Sequence, residues 1–105
     1  MSTFSCTETV PGTLVLEGEF TIFDAAQARI TLLDKLSARD ALTVDLSGVT
    51  ELDSSGVQLM LLLAREAGRA DKTVTWEKHS NAVAQVLDTL NLSAQFNAPA
   101  AVVWS

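Results

Sequence analysis

The 105-residue chain has one cysteine, Cys6, and one histidine, His79. A lone cysteine rules out an internal disulfide, and the pair is too few for a Cys/His metal cluster. Basic residues are also scarce: seven Lys and Arg stand against thirteen Asp and Glu, for a net charge of −6. With no basic surplus to neutralise phosphates, the composition argues against nucleic acid and against an anionic membrane surface. Long apolar runs are missing too. The longest, Leu59 to Ala64, falls far short of the roughly 20 residues a helix needs to cross a bilayer, so no direct membrane insertion is expected. Met1-Ser2-Thr3 offers neither the basic n-region nor the apolar h-region of a secretory signal. A reducing, cytoplasmic setting is the expectation. There is no repeat, low-complexity tract or linker.

What remains is 48% hydrophobic and 19% charged, a globular balance, and the length predicts one domain over residues 1–105. Phe4 to Val10 and Thr13 to Phe20 partly alternate on either side of Pro11-Gly12, which predicts a hairpin with strands at about 3–9 and 13–19. Asp24 is placed to cap a first helix ending near Ala38, with Ala25, Ala28 or Arg29, Leu32 and Leu36 on one face. Leu42 to Leu46 reads as a strand, stopped by Ser47-Gly48. A second helix, Ser54 to Gly68, has so little polar face in its first turns that it is buried on several sides or keeps a face for a partner. Lys72 to Glu77 is a strand. Ser80 can cap a third helix carrying Val83, Val86, Leu87 and Leu90, with Asn91 as its left-handed terminator. Ala100 to Trp104 suits a short last strand. Strands alternating with helices favour parallel pairing, here after an antiparallel start.

The chain is organised around Leu46 to Val57, where a strand passes through a short acidic connection into the Leu-rich helix. Asp53, Ser54, Ser55 and Gly56 stand at that join. Two hydroxyls are thus offered at a helix start, where backbone N–H groups lack helical partners.

Gly18-Glu19, Val44-Asp45-Leu46-Ser47-Gly48-Val49, Leu52-Asp53-Ser54-Ser55-Gly56-Val57, and Val83 and Leu87 before Leu90-Asn91-Leu92 together resemble a STAS domain, in particular the bacterial anti-sigma factor antagonists and their single-domain relatives. The resemblance spans about Thr13 to Leu92. It implies an α/β fold with a mixed, mostly parallel sheet of four to five strands, starting in an antiparallel hairpin and packed with three to four helices. It implies a non-enzymatic module without a cofactor. The serine after the aspartate, Ser54, would be phosphorylated by a partner kinase of histidine-kinase-like ATPase fold that doubles as the anti-sigma factor, and a serine phosphatase would reset it. Partner contacts would come from Asp53, Ser54, Ser55 and Gly56, and from Phe20, Thr21, Ile22 and Phe23. In that last segment many antagonists carry an acidic residue soon after Gly-Glu. The apolar variant here is similar to relatives in chemotaxis or other signalling clusters, so the client need not be a sigma factor. The alternative is a constitutive accessory subunit of a lipid-transport ATPase complex or a signalling scaffold.

A phosphate on Ser54 would meet a helix N-terminus that favours anions, while Asp53 and Glu51 would oppose its charge. The bland readings are a capped strand-to-helix turn, with Gly56 allowing the backbone to turn tightly, and Phe20, Ile22 and Phe23 as core rather than rim. Asp45 and Glu51 are more often solvated than metal ligands. A Ser54–His79–Asp hydrolase lacks the nucleophile-elbow pattern, and there is no Gly-rich phosphate cradle. Trp76 and Phe96 are expected in the core, and Cys6 in strand packing.

Overall fold

The computed structural model describes residues 4–96. Chain order is β1 (Ser5–Val10), β2 (Thr13–Phe20), α1 (Ala25–Ser37), β3 (Ala41–Leu52), α2 (Ser54–Arg69), β4 (Thr73–Glu77) and α3 (Asn81–Thr89). The strands form one sheet in the order β1-β2-β3-β4. β1 runs antiparallel to β2, and β2–β3 and β3–β4 are parallel. This is the expected mixed α/β sheet with three helices; the strand expected at Ala100 to Trp104 lies outside the described residues.

The period of two along the strands decides which face is buried. Leu14, Leu16 and Phe20 of β2 and Leu42, Val44 and Leu46 of β3 are essentially inaccessible. They meet Ala28, Leu32 and Leu36 of α1, Met60 and Leu63 of α2, and Val83 and Leu87 of α3 in one core. Each buried Leu, Val or Phe contributes about 1.5–3 kcal/mol relative to leaving it in water. Trp76 and Phe96 belong to that core, meeting edge to face at 5.3 Å. Both are buried, as their apolar rings lead one to expect.

Two expectations change. β3 does not stop at Ser47-Gly48 but continues to Leu52. The pairing with β2 absorbs the glycine through register shifts between Val15 and Glu17 and between Gly18 and Glu19. A Cβ on Gly48 would lie 2.7 Å from Glu17 Cγ, so the glycine permits close strand approach rather than ending the strand. At α1, Asp24 occupies the N-cap position, but its side chain makes no cap hydrogen bond.

The helix ends are tied down in ways the sequence partly signals. The Ser80 side chain caps α3 through Val83 N–H at 3.2 Å. Asn91 is left-handed at φ 59°, and Leu92 N–H reaches back to Leu87 C=O at 2.7 Å, closing a Schellman motif. Asp71, φ 57°, does the same for α2, with Lys72 N–H on Ala67 C=O at 2.8 Å. The Lys72 ammonium then donates to Leu36 C=O at 2.7 Å, fastening the end of α1, where a cation suits the helix dipole.

Candidate functional site

At the top of the sheet β2 and β3 end side by side, with Phe20 paired to Leu52. The β2–α1 loop and the start of α2 therefore share one corner. Asp53 joins them. Its backbone is extended, at φ −109° and ψ −176°, which suits an N-cap. One carboxylate oxygen, Oδ1, accepts Gly56 N–H at 3.1 Å. The other, Oδ2, accepts Ile22 N–H at 3.0 Å, and Asp53 N–H donates to Phe20 C=O at 3.4 Å. Asp53 is thus a cap and a clamp between two loops, and its half-buried side chain leaves only a limited surface for a partner.

Ser54 opens α2 and is exposed; Ser55 is half-buried. Among the described residues, neither hydroxyl is hydrogen-bonded, and the Ser54 and Ser55 N–H groups have no acceptor, whereas those of Gly56 and Val57 are taken by Asp53. Among the described residues the corner therefore holds two unbonded hydroxyls, the Ser54 one on an exposed residue, and two free donors at the positive end of a sixteen-residue helix, an arrangement that favours an anion.

Gly56 is needed for closeness, not for a turn. It lies in the first turn of α2 and outside the positive-φ positions. A Cβ there would stand 2.6 Å from Phe20 C=O and 2.6 Å from Leu52 Cδ1. The buried glycine lets α2 sit directly on the end of β2, so any contact it makes with a partner would be through backbone alone.

The apolar segment divides. Phe20 is fully buried and stacks on Phe4 with ring centroids 4.9 Å apart. Its side chain cannot serve as the partner contact expected of it, because β2 alternation turns it to the same face as Leu14 and Leu16. Thr21 is also buried, at 6% exposure. Alternation ends with the strand, and Ile22 and Phe23 are 65% and 89% exposed. These two side chains, unlike Phe20, form an apolar rim.

On the α3 side, Ser54 borders a hollow of about 370 Å³ together with Val86, Thr89 and Leu90. Leu90 completes the apolar i, i+3, i+4, i+7 pattern of α3, but it is the C-cap and is 47% exposed. The regular spacing carried the stripe one residue past the point where the helix leaves the core. On the α1 side, Ser55 borders a groove of about 570 Å³ between α1 and α2, which spacing along the chain does not reveal.

His79 does not join Ser54. Its Nε2 pairs with Phe96 C=O at 2.9 Å; burial lowers its pKa, and the carbonyl only partly offsets this. Asp45 Oδ1 accepts from Ser47 N–H and Oγ at 2.8 and 2.7 Å, with Lys78 Nζ 3.8 Å from Oδ2. Burial alone would raise its pKa, but the Ser47 bonds and Lys78 bring it below the ordinary carboxylate value. The histidine weighed for a hydrolase is thus paired with Phe96, and the Asp45 weighed as a metal ligand is bonded to Ser47. Among the described residues, no group of three or more His, Cys, Asp or Glu is placed to hold a metal, and no helix is long and apolar enough to cross a membrane.

Glu8 is a polar centre the sequence did not announce. It accepts Gly12 N–H at 2.9 Å, Lys35 Nζ at 3.1 Å and Arg39 Nε at 3.1 Å. The Gly12 bond first, then Lys35 and Arg39, hold its pKa down to about 2. It ties the hairpin to α1, far along the chain from the Ser54 corner.

The architecture has close solved counterparts. The anti-sigma factor antagonist SpoIIAA in its unphosphorylated form superposes with a TM-score of 0.70 at 22% identity, over 88% of this chain and 84% of that one. The phosphorylated form of SpoIIAA, described as a Bacillus cell fate determinant, gives 0.66 at 21% identity, over 88% and 86%. An anti-sigma factor antagonist from Mycobacterium paratuberculosis gives 0.70 at 20% identity, over 93% and 85%. At these identities the likeness establishes the fold. No curated protein sequence matches the chain. The family model described as "Mlab, STAS domain" matches residues 7–98, a span that holds the sheet, the three helices and the Asp53–Ser54 corner, and the chain therefore belongs to the STAS domain family.

Proposed function

We propose that the protein is a phosphorylation-controlled binding module: a partner docks over the Ser54 corner, and phosphorylation of Ser54 ends that docking. The observation that carries this reading is the exposed Ser54 hydroxyl, unbonded among the described residues, beside two unoccupied N–H donors at the start of α2. A kinase can reach that oxygen. The fold tolerates the product, because the donors and the helix dipole meet the phosphate. A partner packed there does not, because it would have to bury a charge of about −1.5 to −2 next to the Asp53 carboxylate. The partner class is an anti-sigma-type kinase with a histidine-kinase-like ATPase fold, and the resetting enzyme is a serine phosphatase. The likeness to SpoIIAA structures described as unphosphorylated and phosphorylated supports this reading. The role is non-enzymatic and belongs to the cytoplasm.

A second reading, a constitutive accessory subunit of a lipid-transport ATPase complex or a signalling scaffold, draws on the family match, which is described as Mlab rather than as an anti-sigma factor antagonist.

Affinity capture from the native host, with wild type and Ser54→Asp as baits, separates the two. The switch predicts phosphate mapped to Ser54 by intact-protein mass spectrometry, and a captured kinase that Ser54→Asp no longer holds. An unmodified Ser54 under every growth condition, with a transporter ATPase held equally by both baits, assigns the accessory role instead.

A further inference from the structure

The seven basic side chains are not spread evenly among partners. Lys35 and Arg39 pair with Glu8, Arg69 with Glu66 and Lys78 with Asp45, while Lys72 caps α1. Arg29 and Arg65 have no hydrogen-bond or ion-pair partner among the described residues. Both line the same place, the groove between α1 and α2, one from each wall. Its lining is otherwise largely aliphatic, with Ala26, Leu59, Leu61 and Leu62. Leu61 and Leu62 pack against the core but are only half-buried, so part of the surplus apolar face of α2 is left in this groove. In an acidic chain, the two cations left over thus converge on one apolar trough.

We propose that this groove docks an amphipathic helix of a protein partner, one whose apolar stripe is flanked by carboxylates on both sides. The dimensions suit a helix. Ser55 and Arg65, at the two ends of the α2 wall, are ten residues apart, about 15 Å along the axis, or three turns of a docked helix. The charges select an acidic one, since guanidinium groups on opposite walls reach carboxylates on opposite flanks. A second copy of this chain is disfavoured by its own charge of −6, and the open trough would leave much of an acyl chain in water. The site adjoins the phosphorylation corner without including Ser54: Ser55 borders the groove, whereas Ser54 borders the hollow against α3.

A displayed library of helical peptides tests this, with leucines fixed on one stripe and the flanks free to be Glu, Lys or Gln, selected on the full chain. Glu should be enriched on both flanks. A synthetic peptide of the selected sequence should shift the amide resonances of Ala26, Gln58 and Leu62. It should bind an Arg29→Gln/Arg65→Gln variant of unchanged circular dichroism about tenfold more weakly. The Ser54→Ala variant should bind it as wild type does, so failure of the switch leaves this result standing. The proposal is overturned by a library without binders, by equal enrichment of Lys or Gln, by resonance shifts confined to other surfaces, or by full affinity in the double variant. It is likewise overturned if phosphatidylglycerol vesicles bind the wild type but not the double variant while no peptide binds, or if a solution dimer is dispersed by Arg65→Gln.

Discussion

The Asp53 carboxylate accepts the backbone N–H of Ile22 at 3.0 Å with one oxygen while its other oxygen caps α2 at Gly56. One side chain thus both holds the β2–α1 loop and caps the helix that presents Ser54. Asp53→Ala should remove both bonds and destabilise the fold by about 1–2 kcal/mol, above the loss of an ordinary cap. Asp53→Asn, with a single acceptor oxygen, should fall between. Urea unfolding of the three proteins gives the order directly.

At most helix positions Gly→Ala is favourable by up to about 1 kcal/mol. At Gly56 the sign should reverse. The methyl would need to displace Phe20 C=O, and overpacking of this kind costs about 1–3 kcal/mol. The exposed Gly68, in the same helix with nothing within 4 Å of a built Cβ, is the matched control. There, alanine should raise the thermal midpoint while Gly56→Ala lowers it.

The apolar segment should split by function. Phe20→Ala should cost about 3–5 kcal/mol, because it empties a fully buried site. Phe23→Ala removes a side chain that is 89% exposed and should change stability by less than about 0.5 kcal/mol. It should nevertheless weaken capture of the Ser54 partner, by about tenfold if Phe23 is an anchor. Calorimetry and a binding titration on the same two variants check both halves.

Acid should act through Glu8. Its folded pKa of about 2 lies below its ordinary value of 4.5, so the unfolded chain takes up the proton first as pH falls. The group therefore stabilises the fold fully above about pH 4.5, and that contribution fades down to about pH 2. Glu8→Gln should be less stable than wild type at neutral pH, and its stability curve should be flatter across this window. Parallel curves for the two proteins would mean that Lys35, Arg39 and Gly12 do not hold the carboxylate in solution.

Much of this could be read from the chain because the relevant signals are local. Ser80 and Asn91 mark the ends of α3 through their own side-chain and backbone preferences. The i, i+3, i+4 spacing selects Leu32 and Leu36, and the Asp53-Ser54 step falls where strand gives way to helix. What escaped depends on strangers in the sequence. Gly48 looks like a stop until β2 lies beside it, and Gly56 looks like a turn until the Phe20 carbonyl is 2.6 Å from where its methyl would be. Leu90 fits the helical stripe perfectly well, yet the core has already ended beneath it. The groove that joins Arg29 to Arg65 exists only once α1 and α2 lie side by side.

The tight seat of α2 on the end of β2 has a further consequence. At Gly56 there is not even room for a methyl between α2 and Phe20 C=O, so that joint gives a modification at Ser54 little space in which to drive α2 further onto β2. The proposed signal would be a change of label on an unmoving face, and any mechanical response would belong to whatever protein reads it.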